Sequence, residues 1–349
     1  MIRGNDFHMM TRMKAFKRGF FFILGLILLL TSCATAPKPS PSSPVVSPQP
    51  DEDVIVKERE EKMTLEKLEN HLYDDAYDAY LQGKYENAMH AFEMAKILRP
   101  DHRDFWKDQA LIYCYLATGY YSKVLTLSKF LIREKPAYWS TYFYKGLAYL
   151  WMNNLPWALK NFLLSTEIKD HEPVVHVYLA MAYHMMNKRK KKDLHFLTAE
   201  TMYRNVIKKN PDDESAYIEL AYLYLYFDHD FSQVGELLKK ANYLARESEN
   251  AERKQTWFDF YIPHLQGIYF YKQKEYRRAI ITLSEAIEKA PSGIKADLAE
   301  SLFFIGKSYE GLGDQIKADL FYSKAFQVDR LVLYASEKSS FVNKTRKHH

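Results

Sequence analysis

Cysteine is nearly absent, with only Cys33 and Cys114 in 349 residues. Two thiols cannot supply a disulfide framework, so the fold must rest on its apolar core. Glycine is scarce as well, at 12 residues, and 6 of the 13 prolines crowd into Pro37 to Pro50. Few chain breakers remain for hairpins, which argues against a β-rich fold. No long apolar run exists beyond the eleven residues Phe20 to Leu30. As a helix these rise about 16 Å, too short for a bilayer core of roughly 30 Å. Catalytic signatures are missing too. There is no Gly-x-Ser-x-Gly elbow and no dinucleotide fingerprint. Gly306-Lys307-Ser308 imitates the end of a phosphate loop, but Ser301 stands where the first glycine must be. His171 and His176 are five residues apart with Pro173 between them, unlike the two histidines of a zinc-protease helix. Asp228-His229-Asp230 offers metal-compatible groups, yet three ligands in sequence rarely close a site without distant help. No enzyme activity, metal or cofactor is expected.

What is present is apolar and charged in globular proportion, 47% hydrophobic and 27% charged. The net charge of +5 is unevenly placed: Arg3, Arg12, Lys14, Lys17 and Arg18 against Asp6 put four of those charges in the first 32 residues. The remainder is close to neutral, so nucleic acid is not an expected partner. A basic stretch, a short apolar run and small residues before a cysteine form a removed signal peptide, residues 1–32. Leu30-Thr31-Ser32-Cys33 resembles the lipobox of bacterial lipoproteins. That resemblance implies cleavage before Cys33 and acylation of its sulfur and new amino group, making Cys33 a membrane anchor. Ala34 follows instead of the aspartate that retains members at the inner membrane, which implies the outer membrane, facing the periplasm. With Cys33 acylated, Cys114 has no partner in the chain and reads as a small buried hydrophobe.

Residues 33–63 read as a stalk, Pro/Ser-rich to Pro50 and then charged from Asp51 to Lys62. Beyond it, Pro100, Pro136, Pro173, Pro211 and Pro291 recur at 36, 37, 38 and 80 residues. Between them apolar residues return every three or four positions, as in Leu298, Leu302, Ile305 and Tyr309, so each period holds two helices and a turn. The segment Gly267-x-x-Phe270-x-x-x-Lys274-x-Tyr276-x-x-Ala279-x-x-x-Leu283-x-x-Ala286 resembles the tetratricopeptide repeat. So do Ala76, Gly83, Tyr85, Ala88, Phe92, Ala95 and Pro100; Gly146, Tyr149, Asn153, Ala158 and Phe162; and Gly306, Tyr309, Gly313, Ala318, Tyr322 and Ala325. Weaker units carry Tyr115, Gly119, Tyr121 and Pro136, and Ala221, Tyr224, Leu238 and Ala241. One unit is split, with Ala180 and Tyr183 separated by about seven extra residues from Ala199 and Tyr203. The resemblance implies an all-α solenoid of about seven helix pairs wound as a right-handed superhelix over residues 64–335, with a basic tail at 336–349.

In that family the first helix of each pair lines a concave groove for a partner segment. The corresponding positions here are Tyr73, Tyr77, Tyr80, Phe143, Leu147, Leu150, Trp151, Val177, Met181, His184, Ile218, Tyr222, Leu225, Tyr226, Tyr261, His264, Ile268 and Tyr271. Only Lys307 stands where the carboxylate-clamp members place a cation, so the expected partner is an amphipathic helix or an extended apolar segment of an envelope protein. The same residues could equally be covered by tight superhelical winding. Lys188, Arg189, Lys190, Lys191 and Lys192 are expected in an inter-helix loop of the split unit, as a solvated loop or as a contact for anionic lipid or an acidic protein. The implied function is a non-enzymatic interaction scaffold of cell-envelope assembly or secretion. The alternative is a lipoprotein that holds a hydrophobic ligand or lipid in its groove, associated with a transporter.

Overall fold

The computed structural model describes residues 52–102, 104–247, 257–290 and 295–328. Cys33, the signal peptide and the tail at 336–349 lie outside them. The chain divides into two units, Met1–Lys67 and Leu68–His349. Among the described residues there are fourteen α-helices and no strand: α1 Glu52–Leu81, α2 Tyr85–Leu98, α3 Phe105–Ala117, α4 Tyr121–Glu134, α5 Trp139–Trp151, α6 Leu155–Ile168, α7 Pro173–Met185, α8 Arg189–Lys209, α9 Glu214–Tyr226, α10 Phe231–Glu247, α11 Ile262–Lys272, α12 Tyr276–Glu288, α13 Lys295–Gly311 and α14 Gln315–Val328. Successive helices pair as seven hairpins, the solenoid that the sequence predicts. A π-helical turn, Trp257–Tyr261, leads into α11. None of these helices is long and apolar enough to cross a membrane.

The stalk expected over 33–63 needs one correction. Its charged half, from Glu52, is helical and continuous with α1. Glu and Lys are strong helix formers, so a charged run need not stay irregular when a helix can propagate into it.

Each hairpin closes on the same corner. Gly83, Gly119, Asn153, Asn187, Asp228, Lys274 and Gly313 all have φ between +53° and +81°. At each corner the next amide reaches back to a carbonyl five residues earlier, as in Tyr120 N to Tyr115 O at 2.8 Å and Glu275 N to Phe270 O at 2.9 Å. This is the Schellman end of a helix, which requires one left-handed residue and favours glycine. Within a hairpin the axes approach at a small residue. A Cβ on Gly146 would stand 2.6 Å from the Phe162 ring, and one on Gly306 2.7 Å from the Tyr322 ring. Ala76, Ala180 and Ala221 occupy the same position elsewhere and are fully buried.

Hairpins are joined to one another by tyrosine hydroxyls. Tyr115 of α3 donates to Glu93 of α2 at 2.8 Å, and Tyr224 of α9 donates to Glu200 of α8 at 2.5 Å. Gln109 of α3 links to α5 through Thr141 and Ser140. Glu69, fully buried on α1, accepts from Arg99 at 2.8 Å and pairs with His102 at 2.5 Å. A buried carboxylate held by an arginine and a histidine satisfies its lone pairs and fixes the first hairpin's end.

Candidate functional site: the inner wall and its aromatic rim

The first helices of consecutive hairpins lie side by side, and their aromatic rings interlock between them. Tyr80 meets Tyr113 at 5.4 Å, Tyr113 meets Tyr144 at 6.2 Å, Phe143 meets Tyr178 at 5.6 Å, and Tyr271 meets Phe304 at 5.2 Å. Edge-to-face and tilted rings at these separations are favourable beyond the area they bury.

This ladder decides where the expected groove residues fall. Tyr73, Phe143, Leu147, Leu150, Met181, Ile218, Tyr222 and Tyr261 are buried, as are Val177, Leu225, His264 and Ile268. Tyr77, Tyr80, Trp151, Tyr226 and Tyr271 are half-buried, and His184 is exposed. The deeper positions of the wall therefore join hairpin to hairpin, and the accessible ones, Tyr80, Trp151, His184, Tyr226 and Tyr271, lie in the last turns of α1, α5, α7, α9 and α11. There His184 of α7 approaches Tyr226 at 6.3 Å and Phe227 at 5.8 Å, while Tyr226 and Phe227 touch at 4.9 Å. His184, Tyr226 and Phe227 form one continuous aromatic rim.

Behind this rim the wall is polar at a few buried points. Burial pushes the hydroxyls of Tyr113, Tyr178 and Tyr222 well above their ordinary range, and nearby carboxylates add to it. Those carboxylates are Glu219 of α9 and Asp297 and Glu300 of α13, all three acting on Tyr178. Tyr261 donates to Asp297 at 3.1 Å. His264, fully buried, pairs through Nδ1 with Ser301 at 2.7 Å and through Nε2 with Glu300 at 3.3 Å. Tyrosine hydroxyls, carboxylates and the His264–Ser301 pair make the interior polar at these points.

The basic run is corrected. Lys188 caps α8 and Arg189, Lys190, Lys191 and Lys192 form its first turn, so these five cations are not in a loop. The corner at Asn187 is as short as the others, and the extra residues lengthen the helix instead. Asp228-His229-Asp230 is equally occupied. Lys272 pairs with Asp228, Asp230 accepts from Ser232 and Gln233, and the His229 ring lies 4.9 Å from Phe196. Among the described residues no group of three His, Cys, Asp or Glu side chains could hold a metal ion. Cys114 is buried.

One cluster escapes a sequence reading. His195 of α8 stacks between Tyr183 at 5.5 Å and His176 at 5.3 Å, and the two imidazoles meet Nδ1 to Nδ1 at 3.0 Å. Burial, and then the neighbouring His176, push the His195 imidazole down to about 4. Nineteen residues separate the two histidines, so only the pairing of α7 with α8 brings them together.

These features define an all-α helical-repeat solenoid with tetratricopeptide-like packing. No family model matches the chain, and no curated protein does. Among solved structures it is similar to a chain of the APC/C hetero-tetramer Cut9-Hcn1, at 13% identity and TM-score 0.49, over 79% of this chain and 55% of that one. A tetratricopeptide repeat protein from Parabacteroides merdae aligns at 13% identity and TM-score 0.43, over 77% of this chain and 99% of that one. Human IFIT1, in a dimer with PPP-AAAA, aligns at 18% identity and TM-score 0.45, over 74% of this chain and 64% of that one. The chain thus spans about half of the first and under two thirds of the third.

Proposed function

We propose that this chain is a lipid-anchored, non-enzymatic scaffold of a bacterial cell envelope, tethered through Cys33, that captures a segment of an envelope protein on its inner rim. The observation that carries this reading is the contiguous rim of His184, Tyr226 and Phe227, rigidly backed by the buried wall. Rigid aromatic side chains supply large contact area at low entropic cost, which suits an amphipathic helix or an extended apolar strand. A hydrophobic small ligand is the weaker alternative, because the apolar residues that would line its site already pack against one another.

The test is a photo-crosslinking amino acid placed at position 226 or 184 in living cells, with position 243 as control. Tyr243 is 59% exposed on a second helix, α10. One protein captured at both rim positions and absent at 243 supports the reading. Capture of the same proteins at all three, or of none, overturns it. Tyr226→Glu should abolish the adduct at 184 while leaving helicity unchanged. Tyr222→Glu places a charge in the buried wall, so it should unfold the neighbouring hairpins.

A further inference from the structure

The helix α8 breaks the repeat in length and in charge. It has 21 residues, where α4 and α6 have 14. Seven more residues are about 10 Å of additional rise. Its first turn holds four cations and no acid, against the preference of a helix N-terminus for negative charge. One nearby carboxylate, Asp193, answers five cations; it contacts Lys192 and lies 3.9 Å from Arg189, whose side chain is 91% exposed. The same helix also presents apolar groups to solvent. Leu194 is 61% and Leu197 57% exposed. Lys190, Leu194, Leu197 and Thr201 follow one another at four, three and four residues, all exposed, while Phe196, Ala199 and Tyr203 are buried on the opposite side. Lys191 lies over the Tyr183 ring at 5.3 Å and Lys192 over the Phe227 ring at 5.7 Å, but five like charges crowded at one helix start still repel one another, and the leucines gain nothing from water.

We propose that this face of α8 docks on an anionic phospholipid surface, the cations meeting headgroup phosphates and Leu194 and Leu197 entering the acyl boundary. A cluster of basic residues on an amphipathic helix with apolar side chains beside it meets both halves of that interface. An acidic protein would satisfy the cations but leaves the leucine pair without a reason. The inference stands apart from the anchor at Cys33, since it concerns a surface of the folded solenoid.

The test uses the full chain carrying Cys33→Ser and Leu197→Cys, labelled with an environment-sensitive fluorophore; Cys114 is buried and so protected from the label. A second protein carries the label at Ile97, which is 70% exposed on α2. Vesicles of phosphatidylglycerol with phosphatidylcholine should give a blue shift and a several-fold rise in intensity at 197 and none at 97. The response should vanish in pure phosphatidylcholine, weaken with salt, and be lost when Lys188, Arg189, Lys190, Lys191 and Lys192 are all changed to Gln with the helical spectrum retained. An equal response at 97 would place the contact elsewhere, for example at the N-terminal apolar run, and overturns the proposal. So does a response indifferent to lipid charge, or one elicited by polyglutamate and not by vesicles.

Discussion

A close helix contact in the solenoid can be tested with one methyl group, at Gly267→Ala. A Cβ at this position would lie 2.4 Å from Leu283 Cγ, 2.6 Å from its Cδ2 and 3.3 Å from its backbone nitrogen. Leu283 is fully buried, and its rotation alone cannot clear the backbone atom, so α12 must shift away from α11. Two effects oppose each other. Alanine is the better helix former by about 1 kcal/mol, whereas overpacking a closed contact costs about 1–3 kcal/mol. The clash should win, with a net loss of up to about 2 kcal/mol. Because a repeat protein need not unfold in one step, the assay is chemical denaturation followed by circular dichroism, with amide exchange over α11 and α12 to locate the effect. The decisive measurement is a double-mutant cycle. Leu283→Ala alone should cost about 2–5 kcal/mol, and combined with Gly267→Ala it should cost less than the sum by about 1 kcal/mol or more. Stabilisation by Gly267→Ala, together with strict additivity, would refute a close contact between these helices.

Other perturbations address other parts of the molecule. Lys274 sits at φ +64° in the sixth corner, and Lys274→Gly should raise stability by about 0.5–1 kcal/mol in thermal denaturation; a loss would mean that the lysine side chain supports the turn. The His195 imidazole, pushed down to about 4, resists protonation in the fold but accepts it near 6.5 when unfolded. Its contribution is therefore present above about pH 6.5 and is lost as pH falls toward 4, by on the order of 1 kcal/mol after allowance for its partial exposure. His195→Phe should flatten the stability profile across that window, and an unchanged slope would assign it to other groups. Cys33→Ala should move the protein from the membrane to the soluble fraction of fractionated cells; continued membrane retention would remove the anchor from the proposal.

The hairpins were legible because their determinants are local. A small residue in the first helix, a large apolar residue and an alanine in the second, and a proline at the end recur within one period, as in Gly267, Leu283, Ala286 and Pro291. What sequence could not supply is the contact between periods. Spacing places Tyr222 and Phe143 on the inner face but does not say how closely the next hairpin approaches, and that distance separates an open groove from an interlocked wall. The same limit hides the stack of Tyr183, His195 and His176. The extra residues of the fourth hairpin were visible as a count, but a run of five cations suggests a solvated loop. Only the short corner at Asn187 shows that they extend α8.

The seven left-handed corners constrain the chain through a torsion angle, not through a particular side chain. Three are glycine, two asparagine, one aspartate and one lysine. A module whose bend is enforced by amide-to-carbonyl closure tolerates drift in its lettering, and duplicated copies can diverge until little shared spelling survives while the architecture persists. Such a chain would keep the shape of its ancestor long after losing the text.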